Sequence, residues 1–262
     1  MILRCDSASE SEFLTRVYQH WRADETAKRR ASSQDRLSCL DQLVGGLRAG
    51  QSYLFYGASS FIDDLVHRLM VSVSAGGKVA YMDNTDYYSE KTLVRPDRMA
   101  FHAKKQGLDP DLVLEQIYFV AAYNELRQEK AVNALVKMVV AEEPTTTTTR
   151  LIIIHNIARF LPDARDKRQA IDSLNKILAR VWRIVAERGL VLVMTAAFPS
   201  SANRWWAIPK PLGSSMMWHL ANVIVFFVRQ TEEEGLSSPH LSSTQVGRLL
   251  SQYLSWRRKM NR

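Results

Sequence analysis

From residue 50 onward the chain alternates short, unbroken apolar runs with longer segments in which apolar residues recur at helical spacing. The runs are Tyr53 to Tyr56, Val79 to Met82, Ile117 to Val120, Leu151 to Ile154, Leu190 to Met194 and Val223 to Val228. Continuous apolar strands of this kind suit a sheet buried on both faces. Between them, Phe61, Leu65 and Leu69 mark one helix, and a second runs from Pro96 to Lys105. Leu135, Val136 and Val139 mark a third over Glu125 to Ala141, and Leu174, Leu178, Val181 and Val185 a fourth over Arg168 to Arg188. Gly107 and Gly189 sit where helices end, as residues free to adopt left-handed backbone do. Strands alternating with helices predict an α/β fold, a mostly parallel twisted sheet with helices on both faces and right-handed crossovers.

The flanks differ from this core. Residues 1–36 read as a polar helical arm in which Phe13, Val17 and Trp21 recur at helical spacing. Residues 37–230 form the core, and 231–262 a basic tail whose Leu249, Leu250, Tyr253 and Leu254 suit a helix. Pro144 and the threonines Thr145 to Thr149 read as a solvated connection. Cys5 and Cys39 have no metal or redox spacing and suit a reducing interior. No apolar run reaches the ~20 residues of a membrane span, and Met1-Ile-Leu-Arg turns polar too soon for a secretory signal. The expectation from these features is an intracellular protein without membrane contact. The net charge of +8 favours a polyanionic partner.

One stretch carries the chemical question. Tyr53-Leu-Phe-Tyr-Gly57-Ala-Ser-Ser-Phe-Ile62-Asp63-Asp64 runs from strand through glycine turn into helix, the layout of a phosphate-binding loop. Such a loop needs a second glycine, a Lys for the terminal phosphates and a Ser or Thr for magnesium. Ile62, Asp63 and Asp64 stand there instead. Carboxylates are favourable at a helix N-terminus but repel a triphosphate, by roughly 4 kcal/mol per unit charge at ~4 Å and an effective dielectric of 20.

From about Arg36 to Arg229 the chain resembles the RadA/RecA-type recombinase family, in its archaeal and eukaryotic branch. The resemblance rests on Leu40 to Gly50, Arg95-Pro-Asp-Arg98, Gly107 to Asp111, Gln116 to Asn124, Arg168-Gln169, Leu174 to Leu178 and Met194-Thr195, in the family's order and spacing. It implies a RecA-like core, and it makes the departures legible. The loop Lys and Thr are missing, and the loop is one residue short. The magnesium-binding Asp at the end of the fourth strand is His155. After Asp83, Asn84-Thr85-Asp86 stands where the family has the Glu that activates water. The Asn-Gln that senses the γ-phosphate is Ala196-Ala197. The resemblance therefore implies a degenerate paralogue that lacks both Walker motifs, is not an enzyme and uses no cofactor or metal.

What the resemblance leaves is a DNA-facing side made of two loops. The first carries Arg165, Lys167 and Arg168; the second, Pro199 to Ser215, carries Arg204, Trp205, Trp206 and Lys210. Indole rings can stack on unpaired bases and the cations can hold phosphate. The two tryptophans can equally pack under their own loop or against a protein partner. Arg257, Arg258 and Lys259 in the tail add a further polyanion contact, or simply a solvated helix end. In the arm, Phe13-Leu-Thr-Arg16 is the nearest match to the family's Phe-x-x-Ala self-assembly motif, and Arg16 does not fit a pocket for alanine. The expected function is a non-catalytic paralogue that binds DNA, single strands preferred, a RadA-type recombinase or another paralogue, or both, assisting recombinational repair. The alternatives are a purely structural subunit that never touches DNA, and an NTPase with a rewired metal site on Asp63, Asp83 and His155; Asp64 and Asp86 are further candidate ligands.

If the tail binds DNA, replacing Arg257, Arg258 and Lys259 by Ala lowers the slope of log affinity against log salt by ~0.7 for each phosphate that is no longer neutralised on a single strand. A salt titration by fluorescence anisotropy reads this, and an unchanged slope assigns the tail to solvent.

Overall fold

Parallel strands must find hydrogen-bonding neighbours on both sides and cover on both faces, and the computed structural model shows how this chain meets both demands. It describes residues 2–3, 46–57, 59–85, 94–142, 148–197 and 210–227. Ile2–Val228 fall in one compact unit; Met1, Arg229–Arg262 and most of the 1–36 arm lie outside the described residues.

The elements in chain order are β1 (Ile2–Leu3), β2 (Ser52–Gly57), α1 (Ser59–Ser74), β3 (Lys78–Asn84), α2 (Pro96–Lys105), α3 (Pro110–Glu115), β4 (Ile117–Ala122), α4 (Glu125–Ala141), β5 (Thr149–His155), α5 (Lys167–Arg188), β6 (Val191–Ala196), α6 (Ser215–Leu220) and β7 (Val223–Phe227). The sheet order is β1-β7-β2-β6-β5-β3-β4, and every neighbouring pair is parallel. The expected α/β fold is present, with a sheet that is parallel throughout its described strands.

Alternation along each strand divides the core in two. Tyr53 and Phe55 of β2, Tyr81 of β3, Ile153 of β5 and Val193 of β6 face one way, onto Leu65, Leu69 and Met99 of α1 and α2. Their neighbours Leu54, Met82, Ile154 and Met194 face the other way, onto Leu135, Leu178 and Val181 of α4 and α5. The central strands β2, β5 and β6 are therefore buried almost throughout. β4, at the edge, is mostly half-exposed.

Caps set the helix limits. The Asp166 side chain accepts hydrogen bonds from the N–H groups of Arg168 and Gln169 at the start of α5, and Gly189, with φ of 62°, closes it. Asp109 caps α3 with Pro110 behind it, and Ser214 caps α6. Neither short helix was expected from periodicity, because a single turn or two carries too few apolar repeats to register. β1, two residues long, was equally silent in the sequence.

Gly57 shows how tightly β2 is held. Its φ is +117°, and a Cβ there would lie 2.0 Å from the carbonyl oxygen of Phe227 in β7. The two residues are register partners. The backbone of β7 therefore requires glycine at this position, whatever a ligand would ask of it. Gly57→Ala must both strain φ and push β7 outward, and is expected to destabilise by about 2–4 kcal/mol. Urea unfolding monitored by circular dichroism checks this; a loss below ~0.5 kcal/mol would show that β7 yields freely.

Candidate functional site at the strand ends

In an open parallel sheet ligands bind beyond the carboxyl ends of the strands. Here those ends bring Gly57 of β2, Asp83 and Asn84 of β3, His155 of β5 and Ala196 of β6 to one side of the sheet, where α1 begins. Only Ala58 separates β2 from α1. A phosphate loop works by presenting several consecutive N–H groups around an anion; here a single residue lies between the two elements.

The two carboxylates of the corner part company. Asp64 pairs with Arg68 of its own helix, Nη2 at 2.7 Å, and reaches α2, with Arg98 Nη1 at 3.4 Å and His102 Nε2 at 3.1 Å. It serves helix packing. Asp63 turns the other way, with Oδ1 at 3.8 Å from His155 Nε2. Ile62 is buried in the core under the sheet. Ala196 is buried and Ala197 exposed, and their methyl groups offer nothing to a phosphate.

His155 is buried at the end of β5. Its carbonyl accepts a hydrogen bond from Asn84 Nδ2 at 2.8 Å, and its Nδ1 lies 3.1 Å from Thr195 Oγ1. That hydroxyl oxygen already accepts from the Asn156 N–H at 2.9 Å. Its own hydrogen is thus available to Nδ1, which leaves the ring proton on Nε2, facing Asp63. Burial holds the imidazole neutral, lowering its pKa from 6.5 to about 3, with a smaller contribution from His67. At neutral pH the Asp63 contact is therefore dipolar rather than an ion pair.

His67 was not singled out from the sequence. Its Nδ1 donates to the Asp63 carbonyl at 2.6 Å and its Nε2 accepts from the Arg95 N–H at 3.0 Å, tying α1 to the start of α2. Desolvation lowers its pKa, as it does that of His102. The one available signal was its place four residues after Asp63. Among the described residues no three His, Cys, Asp or Glu side chains converge in a metal-binding arrangement; Asp63, Asp83 and His155 do not form such a group, and Asp86 lies outside the described residues.

The two candidate DNA loops leave β5 and β6 side by side. The Ile157 N–H donates to Thr195 O at 3.0 Å, and the Leu212 N–H to Ala197 O at 2.8 Å, so the second loop returns to where it left. A Cβ on Gly213 would lie 3.9 Å from that of Ala158, which puts the end of the second loop against the first. Arg165, Lys167 and Arg168 are exposed at the start of α5, and Lys210 is exposed where the second loop closes. Arg159 is engaged by Asp163 at 2.8 Å. Arg204, Trp205, Trp206, Arg257, Arg258 and Lys259 lie outside the described residues.

Because His155 is neutral when folded and ionisable when unfolded, the unfolded state takes up a proton that the folded state refuses. Stability is therefore lost as pH falls from about 6.5 toward 3, by up to ~1.4 kcal/mol per pH unit from this one group. His67 and His102 act in the same direction. In His155→Gln the fall of stability between pH 6.5 and 4 is expected to be visibly shallower; urea midpoints across that range check it, and parallel curves would refute it.

A family model described as Rad51 matches residues 36–242, most of the chain. Among relatives, the chain is 28% identical over 211 residues to the "Meiotic recombination protein DMC1 homolog" of Glycine max, covering 74% of this chain and 58% of that protein. It is 27% identical to the Arabidopsis thaliana protein of the same name, covering 72% and 53%. For the Lilium longiflorum homolog the identity is 30%, with 70% and 54% covered. The chain thus spans little more than half the length of these relatives. With an all-parallel sheet, two loops at the ends of β5 and β6, and a family match over most of its length, this chain belongs to the Rad51 family.

Proposed function

We propose that this chain is a non-catalytic member of its family, which acts in homologous recombination and repair by holding DNA and an active recombinase, while the partner supplies ATP hydrolysis. The observation that carries this reading is the closed corner: β2 passes into α1 through Ala58 alone, and the carbonyl of Phe227 covers Gly57. Phosphoryl transfer depends on a cradle, a metal and a positioned water acting together. His155 and Ala196 end β5 and β6, and Asp63, in α1, faces His155.

Two features support the binding half of the proposal. Arg165, Lys167, Arg168 and Lys210 flank two adjoining loops, and Trp205 and Trp206, in the second loop, supply rings for stacking. At the other end of the sheet β4 forms an edge strand on which Phe119 is 52% exposed, stacked on Tyr81. Phe101 and Leu112, on neighbouring helices, are exposed as well. A strand that is terminal among the described strands and carries large exposed apolar side chains is an invitation to a partner chain. DMC1 homologs are named as meiotic recombination proteins; a family relative of that kind is the partner this edge is proposed to meet. A structural subunit without DNA contact would use the same edge and leave the loops idle.

Calorimetry is expected to show no micromolar binding of Mg-ATP, and Mg-ATP is expected to leave thermal unfolding unmoved, since a ligand that does not bind cannot stabilise. Micromolar affinity would overturn the non-catalytic reading. Anisotropy with a labelled oligo-dT is expected to show salt-sensitive binding that weakens by ~2–6 kcal/mol when Trp205 and Trp206 are both replaced by Ala. Undiminished binding by that folded variant would assign the tryptophans to another surface.

A further inference from the structure

We infer that Thr195 and His155 form a latch that fixes the roots of both loops relative to each other without any bound ligand, making them positioning residues for DNA binding. The regular ladder between β5 and β6 ends at Ile154 and Met194. One residue further, side chains take over. The Thr195 hydroxyl accepts from the Asn156 N–H at 2.9 Å and donates to His155 Nδ1 at 3.1 Å. A single hydroxyl thus bonds two consecutive residues of the neighbouring strand. The Thr195 carbonyl then accepts from Ile157, the first loop's next residue.

The surroundings hold this arrangement in one state. Asn156 adopts φ of +48°, a left-handed conformation that Asn tolerates and that turns the chain out of β5. Asn84 fixes the His155 carbonyl from the far side. The imidazole is closed in by the strand ends, with the Tyr81 ring centroid 6.5 Å away. Its Nε2 faces Asp63 in the first turns of α1. The latch therefore runs from α1 across β5 and β6 to both loops, through groups that the chain itself supplies.

The consequence for function rests on the DNA-binding reading proposed above. Loops whose roots are fixed internally need no nucleotide to be set, so affinity for DNA is constitutive. Thr195→Val keeps the volume and removes the hydroxyl; Thr195→Ser keeps the hydroxyl. Native-state hydrogen exchange resolved to single amides is the direct readout, made without DNA.

In Thr195→Val the Asn156 amide exchanges faster because its acceptor is gone. The informative amides are those of Ile157 and Leu212, whose acceptors, the Thr195 and Ala197 carbonyls, survive the substitution. Both are expected to exchange roughly fivefold faster in Val and at the parent rate in Ser, in line with a hydrogen bond worth ~1 kcal/mol. Oligo-dT affinity should fall about as much in Val, recover in Ser, and be indifferent to Mg-ATP in all three proteins. Parent-like exchange at Ile157 and Leu212 in the Val variant, or failure of Ser to restore it, would overturn the latch. If Thr195→Val does not fold, His155→Leu removes the acceptor of the hydroxyl; faster exchange at Ile157 supports the latch and unchanged exchange overturns it. Absence of oligo-dT binding by the parent would defeat the DNA reading, while the exchange rates would still decide the latch.

Discussion

The passage from β2 to α1 is the constraint on which the rest of this structure depends. β2 stays in register with β7 as far as Gly57 and Phe227, and the helix begins at Ser59. The helix leaves the sheet with Asp63 facing His155 of β5 and Asp64 facing Arg98 and His102 of α2.

Charge distribution follows the geometry. Asp64 sits among Arg68, Arg98 and His102, a cluster partly open to solvent, where ion pairs contribute little to stability and more to alignment. Asp63 is left to approach a histidine that burial keeps uncharged. A buried imidazole is tolerated because Thr195 satisfies Nδ1, which removes most of the penalty for burying a polar group. The strand ends thus surround a neutral, hydrogen-bonded imidazole, with the Asp83 carboxylate buried on the neighbouring strand β3 and Asp63 at the rim.

Much of the fold was legible in the sequence. Tyr53 to Tyr56, Val79 to Met82 and Leu151 to Ile154 announce buried parallel strands because no polar residue interrupts them, and each lies within a strand of the sheet. Long helices such as α4 and α5 declare themselves through several turns of apolar repeat. α3 and α6 do not, and β1 owes its place to pairing with β7, a contact far away in the chain that no local pattern encodes. The resemblance to the recombinase family was also carried by sequence alone, since it rests on the order and spacing of short motifs.

The sequence by itself determined which chemical groups follow the strands: Ile62, Asp63 and Asp64 after β2, His155 at the end of β5, Ala196-Ala197 at the end of β6. Residue identity needs no fold to be read. What those groups do was decided by the tertiary structure. Adjacent residues on a helix point about 100° apart, so only the packing of α1 could send Asp64 to α2 and Asp63 to His155. Gly57 looks like a ligand-binding glycine in sequence, yet the approach of Phe227 is what requires it. Thr195 gains its place in the latch because β6 lies beside β5, and strand order is a property of the whole sheet rather than of any stretch of chain.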